Sequence, residues 1–207
     1  MSIWSFLRPR TPHALQSTAD SAPGLNLSPY VGEYLTAIDR TRAFGFETAP
    51  RVLVKKDCID MLALRPVLLD YFERRPPDLM IGQTAAIHFA LAPLLYDKTG
   101  IPFNLTLGWI VRNGRAIYQH DERLIQRFID RNTDAWLQEG CPFHLWLTSP
   151  ACEILDVTFA ANLGWAKNRE ECADLIVYQS AHDPPGDSIY HPTLVGPDFF
   201  QKTGGVP

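Results

Sequence analysis

The feature that most constrains this chain is an uncharged run from Gly82 to Tyr96: Gly-Gln-Thr-Ala-Ala-Ile-His-Phe-Ala-Leu-Ala-Pro-Leu-Leu-Tyr. A helix that is apolar on nearly every side has to be enclosed by other elements. Its fifteen residues fall short of the roughly 20 that span a bilayer. The run therefore predicts a central, buried helix near residues 83–96, in a protein that has to build a core around it. The composition supplies that core, with 46% hydrophobic and 20% charged residues in 207, which excludes a disordered chain. Pro93 removes one backbone hydrogen bond and is expected to bend the last turn.

Around this run the pattern divides. Residues 1–27, rich in Ser, Thr, Pro and Ala, read as an arm without periodicity, and residues 28–207 as one domain. Ser28-Pro29 is a helix start, with Val31, Leu35 and Ile38 at helical spacing and Gly45 past the end. A second helix is expected from near Asp57, kinked or reset at Pro66 and ended by Arg74-Arg75-Pro76-Pro77. Beyond Gly100-Ile101-Pro102, residues 103–111 and 115–119 flank Asn113-Gly114, a hairpin signal. Residues 121–139 read as one helix, capped by Asp121 and stopped by Gly140, with Leu124, Ile125, Phe128, Ile129, Ala135 and Trp136 as its stripe. Short strands are expected at 143–148 and 153–158, another around 175–178, and an irregular wrap from Ala181 onward. Helices first and antiparallel strands afterwards give an α+β class with helices on one face of the sheet.

Charge and cysteine content narrow the function classes. Nineteen basic against 23 acidic residues give a net charge of -4, and a pI near 5.8 argues against nucleic acid as a partner. No run is long enough to enter a membrane, and the start Met1–Arg10 lacks a signal-peptide core. The expected location is the cytoplasm. Cys58, Cys141, Cys152 and Cys172 form no C-x-x-C pair and read as reduced, buried thiols. Cys141 and Cys152 flank a hairpin where a bridge is geometrically open.

Four short pieces then occur in order: Gly82-Gln83-Thr84, Gly100-Ile101-Pro102, His144-Leu145-Trp146 and Asp156-Val157-Thr158. Together, over about residues 80–160, they resemble the transglutaminase-like superfamily, which has the papain-like cysteine-protease fold. The resemblance implies a buried helix on an antiparallel sheet, amide-bond hydrolase or acyl-transfer chemistry, and a catalytic triad. Residue by residue, it implies Thr84 at the nucleophile position, His144 as acid/base and Asp156 as the orienter of His144. The family's nucleophile is a cysteine, so threonine is a departure. A hydroxyl is a far poorer acid than a thiol, and threonine nucleophiles ordinarily rely on a free N-terminal amine. The expectation is a weakly active or inactive homologue, a pseudoenzyme, that binds a peptide or amide-bearing protein partner. The alternative is an active peptidase, deamidase or acyl transferase using Thr84 or another cysteine. A delivered bacterial effector of the same superfamily is a third reading.

Other residues carry competing readings. His88, four residues after Thr84, is either a second base or a core histidine bonded to backbone. Cys58, at an expected helix start, is the best replacement thiol, or else inert; Cys141 reads as structural. Gln83 either donates to an oxyanion or leaves that task to the backbone N–H of residue 84. Trp109 and Trp146 either line a groove or pack in the core. His182, Asp183, Asp187 and His191 match no known metal spacing, so no metal or other cofactor is expected. Asn104-Leu105-Thr106 is a glycosylation sequon by letter only. Arg112, Arg115, Arg123, Arg127 and Arg131 read as a solvated face.

Overall fold

The computed structural model describes residues 28–48, 56–74, 83–166, 176–180 and 187–205. Along the chain these form α1 (Pro29–Ala43), α2 (Met61–Glu73), α3 (Thr84–Thr99), β1 (Asn104–Arg112), β2 (Arg115–Ile117), α4 (Glu122–Arg131) and α5 (Thr133–Glu139). They continue with β3 (His144–Thr148), β4 (Ile154–Asp156), α6 (Phe159–Ala166), β5 (Val177–Gln179), β6 (Ser188–Val195) and α7 (Asp198–Thr203). The class is α+β, with helices packed on an antiparallel sheet. Among the described residues no helix is long and apolar enough to cross a membrane.

Local signals place several ends. The Ser28 hydroxyl accepts from the Val31 N–H at 3.4 Å, and the Asp121 carboxylate accepts from the Leu124 N–H at 3.0 Å, each satisfying a donor the first helical turn leaves open. Gly100 closes α3 in the left-handed region at φ 72°, a conformation glycine adopts without strain. Asn113 and Gly114 both have positive φ, as the tight turn between β1 and β2 requires.

The sheet runs β2-β1-β3-β4-β5, with β6 added along β1. On one edge of β1, β3 pairs at its start, Gly108 opposite His144, and β2 pairs at its end, Ile110 opposite Ile117. The chain leaving β2 at Tyr118 is thus delivered to the first residue of β3. β6 occupies the other edge, with an irregularity between Leu107 and Gly108 where Leu194 and Pro192 are their partners. A proline lacks the ladder N–H, and a bulge tolerates that loss.

Two cores lie on the two faces. On one, Leu105, Leu107, Leu145 and Leu147 meet Leu64 and Leu68 of α2, Ile87, Leu91 and Leu95 of α3, Phe128 of α4 and Phe199 and Phe200 of α7. On the other, Trp146, Ile154, Tyr190 and Val195 meet Tyr30, Tyr34 and Ile38 of α1. The period of two along β3 and β4 sorts Leu145 from Trp146 and Leu155 from Ile154.

Several expectations need correction. Helices cover both faces, because α1 docks on the side opposite α3. α3 buries a stripe (Thr84, Ile87, His88, Leu91 and Leu95) rather than its whole circumference; Ala86, Ala90, Pro93 and Tyr96 are exposed, and small apolar side chains bear exposure at little cost. The second helix starts at Met61, where Asp60 accepts from the Leu62 and Ala63 N–H groups, and it runs on through Pro66. The stretch 121–139 is two helices, broken at Asn132 with φ 52° and ψ -133°, a backbone no helix interior accommodates. The supposed irregular C-terminal wrap contains β6 and α7. The expected strand end at 119 is reached early, at Ile117. The arm 1–27, residues 75–77 of the second helix's end, Gly82, Cys172, His182 and Asp183 lie outside the described residues.

Candidate functional site

β3 and β4 are joined by a turn that the Ser149 hydroxyl stabilises by accepting from the Ala151 and Glu153 N–H groups. Their register pairs Leu147 with Leu155 and Thr148 with Ile154. Continued one step, it sets Asp156 across from Trp146 and diagonal to His144, on the same face by the period of two. The two side chains touch: His144 Nε2 lies 2.6 Å from Asp156 Oδ2, both wholly buried. The carboxylate accepts, so Nε2 carries the hydrogen, and the lone pair of the neutral tautomer is on Nδ1. That Nδ1 is buried and has no hydrogen-bond partner.

Asp156 is held by more than one imidazole. Oδ2 also accepts from the Tyr190 hydroxyl at 3.0 Å, and Oδ1 accepts from the Thr158 and Phe159 N–H groups, each at 3.0 Å. The same carboxylate thereby opens α6. Burial pushes its pKa up, but the charge and hydrogen bond of His144 and the neighbouring His88 outweigh that and hold it at about 2. Tyr190 stands on β6, forty-six residues beyond His144 in the sequence. Only the β-forming run Ile189–Val195 hinted at a strand there, and nothing local linked it to Asp156.

Thr84 opens α3 and is 5% exposed. Its hydroxyl lies 2.7 Å from the Thr158 hydroxyl and at 3.5 Å from both the Leu145 carbonyl and His88 Nδ1. The Thr158 hydroxyl in turn reaches Asp156 Oδ1 at 3.4 Å. Thr84 therefore joins the pair through Thr158, and no hydrogen bond links Thr84 with His144. The parity of β3 explains this: α3 packs with Leu145 and Leu147, whereas His144 shares the face of Trp146.

His88 donates from Nδ1 to the Thr84 carbonyl at 2.7 Å, which is the backbone-bonded arrangement. Its Nε2 faces Asp156 Oδ1 at 3.9 Å and lacks a partner. Burial drives its pKa down to about 4, against the pull of Asp156 and the Thr84 carbonyl. At neutral pH it is an uncharged ring beside a carboxylate.

The other candidates fall elsewhere. The Cys58 thiol donates to Glu153 at 3.1 Å, and burial, with the Glu153 charge, pushes its pKa up. Of the two readings of Cys58 this supports the inert one, because Cys58 precedes the helix start and faces a carboxylate rather than a helix end. Glu153 also accepts from the Cys58 and Ile59 N–H groups, the Ser149 hydroxyl and the Tyr178 hydroxyl, which ties the entry to α2 onto the β3–β4 turn. Cys141 and Cys152 are free thiols raised by burial to about 11 and about 12, so the open bridge between them is not formed. Gln83 is exposed and its side chain makes no capping bond. Trp146 is wholly buried and donates to Tyr30, and Trp109 stacks on His191 with ring centroids 4.1 Å apart. His191 Nδ1 pairs with Glu33 at 2.9 Å, and no group of three or more metal-ligating side chains converges among the described residues. Asn104 donates to Tyr34. Arg112 lies over the Phe159 ring at 5.7 Å instead of on the solvated face, while Arg127 and Arg131 pair with Glu139.

Comparison with protein-family models, with curated proteins and with solved structures returns no match.

Proposed function

We propose that the chain is a transglutaminase-like protein whose nucleophile position is disarmed, a weakly active or inactive relative that binds a peptide or amide-bearing partner. The observation that carries this reading is the division of the site. His144 and Asp156 are paired with the base nitrogen free, while the Thr84 hydroxyl is engaged by Thr158 at 2.7 Å. A general base has to reach the proton it removes. Here the lone pair on Nδ1 and the hydroxyl are not hydrogen-bonded, and an internal threonine has no amine to replace that base. The transglutaminase-like assignment itself rests on the ordered motifs and on this pair.

Restoring sulfur tests the reading. Thr84→Cys puts a thiol at the first residue of α3, where the helix end and an imidazolium both favour thiolate. Iodoacetamide labelling at that thiol, followed by peptide mass spectrometry near neutral pH, is expected to exceed that of glutathione about tenfold. It is expected to fall to the glutathione rate in His144→Ala and in Asp156→Asn. A Thr84→Cys thiol that stays as slow as glutathione, or that ignores His144, overturns the proposal. The free Nδ1 lone pair favours the second reading, an active amide-bond enzyme using the Thr84 hydroxyl. Turnover of an amide substrate by the wild type, lost in Thr84→Ala, would select it.

A further inference from the structure

The paired imidazole and carboxylate are sealed, since His144 and Asp156 have no exposed surface. Three rings pack on His144: Trp146 and Phe159 belong to the core, and Tyr118, only half-buried, stacks on the imidazole with centroids 5.2 Å apart and planes 20° apart. Tyr118 belongs to no ladder: the pairing of β2 ends at Ile117 opposite Ile110. Its backbone lies at φ 60°, a region bulky side chains rarely occupy and that marks a site held by its surroundings. The hold is a clasp. His120 Nδ1 donates to the Tyr118 carbonyl at 2.8 Å, and the His120 ring sets its edge against Phe143, the residue before His144. The residues that follow Tyr118 line a shallow surface depression: Gln119, His120 and Asp121, with Leu124 and Arg127.

We propose that residues 118–120 form a gate, in which the Tyr118 ring closes the His144–Asp156 pair and its displacement admits a ligand from the depression beside His120. The gate rests on the reading of His144 and Asp156 as the working pair. Three features make this segment the moving part. It is tied by one side-chain hydrogen bond and two ring contacts instead of a β-ladder. Its positive φ is enforced by the surrounding contacts, so releasing the clasp lets the backbone relax away from it. The segment covers the ring paired with Asp156, whose Nδ1 has no hydrogen-bond partner. Tyr118 is a positioning residue here: it controls access to His144 and takes no proton.

Carbethoxylation by diethyl pyrocarbonate, read per histidine by mass spectrometry, tests the gate without any turnover. His88 is equally buried and also has an unpartnered nitrogen, so it serves as the internal reference for general loosening. Tyr118→Asn removes the ring and keeps a residue that tolerates positive φ. Labelling of His144 is expected to rise at least tenfold over wild type while that of His88 is unchanged. Tyr118→Phe, which keeps the ring, is expected to protect His144 as the wild type does. Unchanged His144 labelling in Tyr118→Asn overturns the gate, and so does an equal rise at His88. If Tyr118→Asn does not fold, His120→Ala releases the clasp and reads the same opening by the same criteria. The two proposals fail separately. A Thr84→Cys thiol that stays as slow as glutathione sinks the functional reading whether or not the Tyr118 ring is present, whereas selective His144 labelling in Tyr118→Asn upholds the gate.

Discussion

His88 makes stability depend on acid in a way that can be calculated. Its folded pKa is lowered to about 4 by complete burial, against about 6.5 in an unfolded chain. Between those values the unfolded state binds the proton and the folded state does not, so stability falls as the pH drops. The contribution is fully present above pH ~6.5 and its loss is complete below pH ~4. At pH 4.5 the unfolded ring is almost fully protonated and the folded one mostly not, which costs on the order of 2 to 3 kcal/mol relative to pH 7.5. Asp156 acts in the same direction but later. With its folded pKa at about 2, its contribution is present above pH ~4 and fades toward pH 2, leaving the window at 4.5 to 7.5 almost untouched. Urea unfolding at both pH values, followed by tryptophan fluorescence, is the assay. The variant is His88→Gln, whose amide can still donate to the Thr84 carbonyl. The wild type is expected to lose on the order of 2 to 3 kcal/mol more than the variant over this range, whatever the variant's stability at pH 7.5. Equal losses in the two proteins would show that His88 is not the buried neutral ring described, and the reasoning would fail.

Other perturbations follow from the same contacts. Gly108→Ala places a Cβ against the His191 carbonyl and 2.5 Å from the Trp146 ring. Neither backbone nor an enclosed indole can yield, so a loss of about 3 kcal/mol or more is expected by thermal or urea unfolding. Glu153→Gln replaces an acceptor shared by Cys58, Ile59, Ser149 and Tyr178 with a group that is half donor; a loss of about 2 kcal/mol in urea unfolding is expected. The Cys58 thiol, donating to Glu153 with its pKa raised, is expected to react with iodoacetamide more slowly than glutathione at pH 7.5, and to speed up in Glu153→Gln.

How much of this was legible beforehand depends on the range of the signal. The caps at Ser28 and Asp121 and the Asn113-Gly114 turn act within four residues, and each is found where its letters stand. The contact between His144 and Asp156 was named by the resemblance, and it spans a hairpin short enough for its register to bring the two together. The break at Asn132 went unseen because the apolar stripe continues across it, and hydrophobic spacing does not report one residue's φ. β6 went unseen because Pro192 speaks against a strand unless a bulge receives it, and the partner that makes the bulge is β1, more than eighty residues earlier. The sequence left Cys58 between an activated and an inert reading because the neighbour that decides it, Glu153, is ninety-five residues away.

Sequence by itself determined the α+β class of the protein and its turns and caps, because these depend on backbone preferences and on short chain separations. The hairpin spacing left room for the imidazole–carboxylate pair that the resemblance named. Tertiary structure alone decided the rest: helices on both faces, Tyr190 on Asp156, Thr158 between Thr84 and the pair, and Tyr118 over His144. Those contacts join segments distant along the chain. Only the packing of the whole core fixes which of their side chains meet, and on which face of the sheet.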